Sequence, residues 1–185
     1  MRVMINAGHD IEYDCGAVNT NYELTEAEVA RDISERVVKL LEERGIETMF
    51  IQSDNLTGEN PALPCVVDEA NQNDCDLFVS IHCNAFNKKA RGTECLYFPT
   101  SPKSKMAASY IQQRICIELD TLNRGTKERS DLAVLKYTTM PAVLVETAFI
   151  DNDSDAYKLM QHPDWFAVAI SRGIIDYAKR YGYVS

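Results

Sequence analysis

The sequence predicts an α/β fold: a single mixed, mostly parallel twisted sheet of about six strands, with helices on both faces. Two observations carry this. Strand-length apolar runs alternate with segments whose apolar residues recur at helical spacing. That alternation is the pattern of a sheet built from strand–helix units and covered on both sides.

Arg2–Asn6 (R-V-M-I-N) reads as a short buried strand, and Gly8 to Asn21 as polar and irregular. Thr25 opens a helix: T-E-A-E is a capping box with Thr25 as N-cap and Glu28 three residues on. Val29, Ile33, Val37, Leu40 and Leu41 continue it at helical spacing, and Gly45 closes the run. Ile46–Gln52 is a second strand, and Ser53 to Pro64 a loop rich in turn residues. Val66–Asn73 fits a short helix, Leu77–Ile81 a third strand, Phe86–Gly92 a solvated loop and Thr93–Phe98 a fourth strand. Ser104–Asn123 is a helix with Ile111, Ile115 and Leu119 on one face. Asn123–Asp131 reads as a charged loop, then Ala133–Leu135 and Ala142–Thr147 as strands five and six. Two helices, Asp151–Met160 and an amphipathic Asp164–Tyr181, complete the chain.

The 185 residues suit one domain, residues 1–185, and no linker or internal repeat divides them. A net charge of −9 argues against sequence-independent nucleic-acid binding, which depends on Lys and Arg at phosphates, and against docking to an anionic membrane. No stretch approaches the roughly 20 apolar residues of a membrane span. The first residues enter a strand at once, with no visible signal peptide. Six cysteines without a C-x-x-C pair read as free thiols of a protein made in a reducing cytoplasm.

Of three histidines, two stand at corresponding places: M-I-N-A-G-H ends in His9 and L-F-V-S-I-H in His82, each after an apolar strand. Ligands of α/β sheets bind beyond the carboxyl ends of strands, so both could meet one metal, or each could be separately hydrogen-bonded. Two His and one carboxylate form a common catalytic zinc set. Glu26, in the first helical turn, is the freer carboxylate because Glu28 belongs to the capping box; Glu23 is the rival. In P-A-V-L-V-E-T-A-F-I-D-N, Glu146 ends an apolar strand, where desolvation raises a carboxyl pKa toward the range useful for proton transfer. The competing reading pairs Glu146 with Arg124 or Arg129. His162, before a proline, reads as surface. The inventory is that of a metal-activated hydrolase.

With these residues in place, the sequence resembles the zinc-dependent N-acetylmuramoyl-L-alanine amidases, the type-3 amidase family of cell-wall hydrolases and endolysins. The resemblance spans nearly the whole chain: N-A-G-H-D at 6–10, E-A-E-V-A-R-D-I at 26–33, A-N-Q-N-D-C-D-L-F-V-S-I-H-C-N-A at 70–85, G-T-E-C-L-Y at 92–97, Arg124-Gly125, L-A-V-L at 132–135 and the Glu146 motif. Departures include Asn6 where the family often has Asp, Asp10 and Ala148 where Gly is frequent, and Gln52-Ser53 for a common Thr-Arg. The resemblance implies a zinc ion (Zn2+) held by His9, Glu26 and His82, with Glu146 moving protons during hydrolysis. It implies peptidoglycan as substrate, cleaved between N-acetylmuramic acid and L-alanine. Asn84 is expected to support the ligands or touch substrate, and Arg124 to bind a stem-peptide carboxylate. Cys83 is expected to point away from the metal. The alternatives are a zinc peptidase acting within the stem peptide and a catalytically silent wall-binding or regulatory module. Action on the wall implies phage-type release or another export route.

Overall fold

A computed structural model of the chain describes residues 1–184. Its elements are β1 (Arg2–Ala7), β2 (Val18–Asn19), β3 (Leu24–Thr25), α1 (Glu26–Glu42), β4 (Glu47–Gln52), α2 (Val66–Gln72) and β5 (Leu77–Asn84). β6 (Thr93–Tyr97), α3 (Pro102–Leu119), β7 (Asn123–Glu128), α4 (Ala133–Lys136), β8 (Ala142–Phe149), α5 (Asp153–Gln161) and α6 (Pro163–Arg180) follow. Six strands form one twisted sheet in the order β4-β1-β5-β8-β6-β7, and β2 and β3 form a small separate ribbon.

The sheet is mixed in one particular place. β4, β1, β5 and β8 are mutually parallel; β6 runs antiparallel to β8, and β7 parallel to β6. The carboxyl ends of β1, β5 and β8 therefore share an edge with the amino ends of β6 and β7.

Strand alternation sends side chains to two apolar layers. Val3, Ile5, Val79, Ile81, Val143 and Val145 join Ile33, Val37 and Leu41 of α1, Ile111 and Ile115 of α3, and Phe166, Ile170 and Ile174 of α6. The opposite face packs Met4, Phe78 and Leu144 with Val66 and Ala70 of α2 and Val134 and Leu135 of α4. α1 begins as its capping box predicts: Thr25 Oγ1 accepts from the Glu28 backbone N–H and donates to Glu28 Oε2 at 2.6 Å.

The six-strand count matches the sequence expectation, but its membership differs. Ala133–Leu135 is part of the short helix α4, not a strand; Val134 and Leu135 fill the smaller apolar layer from above it. A three-residue apolar run cannot distinguish a strand from one helical turn. The expected charged loop is instead the edge strand β7. Its ladder with β6 supplies the pairing, and its partial exposure lets it be written in polar residues. β5 and β8 also continue past their expected ends; His82 therefore lies inside its strand, as the direct ladder neighbour of Glu146 in β8.

Candidate metal centre and adjoining carboxyl

Three elements bring His9, Glu26 and His82 together. β1 delivers His9 one residue beyond Gly8, with His9 in the left-handed region at φ 62°. A histidine adopts that conformation more readily than a branched residue. β5 carries His82. Glu26 is the first residue of α1, whose start is tied to the preceding loop: the Glu26 N–H donates to the Ala17 carbonyl at 2.8 Å and the Ala27 N–H to that of Cys15 at 3.1 Å.

The Glu26 carboxylate spans the two rings. Oε2 lies 3.1 Å from His9 Nε2, and Oε1 lies 3.0 Å from His82 Nδ1. The Ala17 and Cys83 backbone N–H groups also donate to Oε2 and Oε1, each at 3.1 Å. Burial alone would raise this carboxyl's pKa. The hydrogen bonds from His82 and His9 outweigh it and hold Glu26 well below the usual carboxylate range. The same contact with Glu26, reinforced by Asp14, lifts His9 to about 9 against the opposing effect of burial.

The donor set fits a metal ion. One ligand atom from each of His9, Glu26 and His82 lies within 4.8 Å of the others. Two imidazoles and one carboxylate are the ligand types of open zinc sites. His9 Nδ1 is 2.6 Å from Asp14 Oδ2, a contact that fixes the ring and leaves Nε2 toward Glu26. The Gly16 N–H holds Asp14 Oδ1 at 3.0 Å. Gly16 also makes room: a Cβ there would lie 2.7 Å from His9 Cδ2 and 2.8 Å from Glu26 Oε2, on a backbone with φ +66°.

Glu146 flanks this group as the ladder neighbour of His82 in β8. Its Oε2 is buried without a hydrogen-bond partner among the described residues. The expected alternative, an ion pair with Arg124 or Arg129, is absent: Arg124 pairs with Glu94 and Arg129 with Asp131. Burial raises the Glu146 pKa to about 7, with the charges of Glu26 and Glu94 adding to the rise and the histidines opposing it. Cys83 faces the other side of β5, buried in the larger apolar layer with Sγ 3.3 Å from Thr147 Oγ1.

Asn84 and Arg124 converge on a residue the sequence reading left unassigned. Asn84 Nδ2 donates to Glu94 Oε1 at 3.1 Å, and Arg124 Nε donates to Glu94 Oε2 at 2.7 Å. Lys127 adds a second cation to Oε2 at 2.6 Å. Asp14 was also unassigned; its signal was its place between His9 and Glu26 in a stretch otherwise lacking periodicity. Asn6 lies in the sheet, 2% exposed, and bonds Ser80 and backbone carbonyls, so Asp14 is the carboxylate that braces His9. Glu23 contributes to no metal-ligand group among the described residues. His162 is partly exposed and stacks on Trp165 at 4.3 Å.

Comparison with known proteins agrees with this architecture. A family model described as N-acetylmuramoyl-L-alanine amidase matches residues 3–176. The chain is 41% identical to the uncharacterized protein YqiI of Bacillus subtilis, over 95% of this chain and 84% of that one. It is 38% identical to the N-acetylmuramoyl-L-alanine amidase LytC of the same organism, over 96% of this chain but 35% of that one. The chain thus spans about a third of LytC. The crystal structure of an N-acetylmuramoyl-L-alanine amidase from Clostridium difficile 630 superimposes with a TM-score of 0.83 at 25% identity, covering 96% of both chains. With the family match running through both apolar layers and every strand of the main sheet, the chain belongs to the N-acetylmuramoyl-L-alanine amidase family.

Proposed function

We propose that this chain hydrolyses the amide between the lactyl group of N-acetylmuramic acid and the L-alanine of the stem peptide, with a zinc ion held by His9, Glu26 and His82. The observation that carries the reading is the unpartnered, buried Glu146 Oε2 beside the His9–Glu26–His82 group. The family supplies the bond; the site supplies the parts that hydrolysis of an amide needs.

A zinc ion bound by this set supplies Lewis acidity, which activates water near neutral pH and polarises the scissile carbonyl. The protein's own residues do the rest. Asp14 orients His9 through Nδ1. Glu26 is held ionised by its hydrogen bonds and is ready to ligate. Glu146, with a carboxyl pKa near 7 and no partner on Oε2, takes a proton from the attacking water. It then returns a proton to the departing alanine amine. No helix among the described residues is long and apolar enough to cross a membrane.

The test is mass spectrometry of purified peptidoglycan after digestion with zinc-loaded protein. Free stem peptides beginning at L-alanine, with the glycan intact, are expected. Shortened stems still attached to sugar would mean a zinc peptidase. Wall binding without products would mean a silent binding module.

A further inference from the structure

Among the described residues, Phe86 is the most exposed large apolar side chain, at 78%. A lone exposed aromatic is ordinary on a protein surface; this one is held in place. It lies four residues past His82, beyond the carboxyl end of β5. The turn that carries it, F-N-K-K-A, is bound from several sides. Asp151 Oδ2 accepts from the Phe86 and Lys88 N–H groups at 3.0 and 2.8 Å. Asn87 Oδ1 accepts from the N–H groups of Lys89 and Ala90 at 3.0 and 2.9 Å, and Asn152 Nδ2 donates to the Lys88 carbonyl at 3.0 Å. Lys88 sits in the left-handed region at φ 61°, a conformation that persists for a lysine where the surroundings enforce it. These bonds fix an aromatic ring in water, where it adds nothing to the core.

A cavity of about 140 Å³ opens beside this turn, with Val18, Asn19, Asn21, Lys88, Asp151 and Asp153 in its lining. It adjoins the candidate metal centre through the backbone. Ala17, one residue before Val18, gives its N–H to Glu26 Oε2, and Ile150, one residue before Asp151, gives its N–H to the Asn84 carbonyl at 2.8 Å. Asp153 is already committed: Asn19 Nδ2 reaches its Oδ1 at 3.3 Å, and Asn21 Nδ2 reaches its two oxygens at 3.0 and 3.1 Å. The lining is therefore no cation cage, and the metal-ligand group among the described residues is His9, Glu26 and His82. Asp151 differs. Its Oδ2 takes two N–H groups, but its Oδ1 is buried with no partner among the described residues. A buried acceptor left without a donor is costly. Side-chain amides, two carboxylates and one lysine together suit a neutral ligand that carries both donors and acceptors. A sugar ring is such a ligand: its C–H face packs on an aromatic ring, and its rim of hydroxyl and amide groups needs hydrogen-bond partners.

We propose that Phe86 and the adjoining cavity form a subsite for a sugar ring of the substrate's glycan, with the ring's apolar face on Phe86 and a hydroxyl or acetamido group entering the cavity between Asn21 and Asp151. The ligand's O–H or N–H is the donor that the protein does not itself supply to Asp151. This rests on the amidase reading for the identity of the glycan.

The test measures binding by calorimetry to the zinc-loaded full chain. The probes are a peptide-free glycan oligosaccharide of alternating N-acetylglucosamine and N-acetylmuramic acid, and the free stem peptide. Phe86→Ala is expected to weaken oligosaccharide binding about tenfold, the effect of losing cover over roughly half a phenyl side chain. Phe86→Trp keeps the affinity. Asn21→Ala, at an exposed position, weakens it about two- to tenfold, the range for one hydrogen-bonding group. Stem-peptide affinity is unchanged in all three variants. Tyr137→Ala removes an exposed ring between α4 and the amino end of β8 and leaves both affinities alone. No binding of the oligosaccharide to wild-type protein, or an affinity unchanged in Phe86→Ala or in Asn21→Ala, would overturn the subsite; so would a loss confined to the stem peptide. Release of stem peptide from intact peptidoglycan is read separately. No release by wild-type protein refutes the amidase reading, while the oligosaccharide affinities still decide whether a sugar is bound.

Discussion

Replacing Glu146 by Gln removes one ionisable proton and almost nothing of the side chain's shape, so its consequences can be worked from the site. In the metal-free protein the Glu146 carboxyl has its pKa raised from an ordinary 4.5 to about 7, first by burial. Between those values the folded protein holds a proton that the unfolded chain has released. Stability therefore falls as pH rises from 4.5 and levels off above about 7. At about 1.4 kcal/mol per pKa unit, the cost of ionising Glu146 in the fold reaches about 3 kcal/mol. That is a ceiling, because Glu146 is only partly buried. Glu146→Gln never incurs this cost, so the variant gains relative to wild type across the same interval. Urea unfolding in a chelator, at steps from pH 4.5 to 8, measures the difference. With zinc restored, the variant is expected to keep the metal and lose roughly a hundred- to ten-thousandfold in kcat, the range for general acid–base catalysis. A stability difference that does not change with pH would refute the desolvated carboxyl, and retained turnover would remove Glu146 from the mechanism.

Three further outcomes follow from the same geometry. Zinc affinity should strengthen as pH rises toward about 9, because His9, held protonated mainly by Glu26, must shed its proton to ligate; competition with a chromophoric chelator measures this, and a flat profile would count against His9 as ligand. Asp14→Asn should weaken zinc binding by about ten- to a hundredfold by loosening the brace on His9 Nδ1, with little change in the metal-free fold; unchanged affinity would leave Asp14 without that role. Ile33→Ala, at a side chain with 0% exposure where α1 meets the sheet, should cost about 2–5 kcal/mol in denaturant unfolding without altering zinc stoichiometry.

The central strands and the candidate ligands were legible for one physical reason. A strand buried on both faces is written in continuous apolar residues, so a histidine or glutamate interrupting it is conspicuous; His82 and Glu146 are such interruptions, and His9 follows such a run. Glu26 was legible through its helix start, since the capping box assigned Glu28 and left Glu26 over. β7 was not legible because an edge strand with exposed side chains needs no apolar pattern. Its bulge hid the pairing of Arg124 and Lys127 with Glu94 as well: spacing places residues 124 and 127 on opposite faces, and only the ladder shows the inserted residue that unites them. α4 was missed because Val134 and Leu135 pack equally well as a strand segment or as one helical turn.

The reversal of β6 and β7 explains why the site is organised by charge as well as by metal ligands. In an all-parallel sheet, this edge would carry only strand carboxyl ends. Here the amino ends of β6 and β7 arrive beside them: Glu94 becomes the ladder partner of Glu146, and Arg124 and Lys127 of β7 pair with Glu94. Each carboxyl along this edge then has its own balance. Asp14 is held ionised chiefly by His9, Glu26 by both histidines, and Glu94 by Lys127 and Arg124 against its burial. Arg124 and Lys127 pair with Glu94 and Arg129 with Asp131, and none of the three pairs with Glu146. The neighbouring pairs thus leave one carboxyl without an ion-pair partner, and that carboxyl, the ladder neighbour of His82, has its pKa raised to about 7 and one buried oxygen unpartnered. A cation placed against it should undo the arrangement: Thr147→Lys or Ala148→Lys would be poorly tolerated in the buried strand, whereas Arg129, freed by Asp131→Ala, is a milder source of positive charge. Asp131→Ala is therefore expected to shift the acid limb of the pH–rate profile to lower pH, because a freed cation favours the ionised form of Glu146. A shift to higher pH would show that the Glu146 pKa is not governed by the charge balance around it.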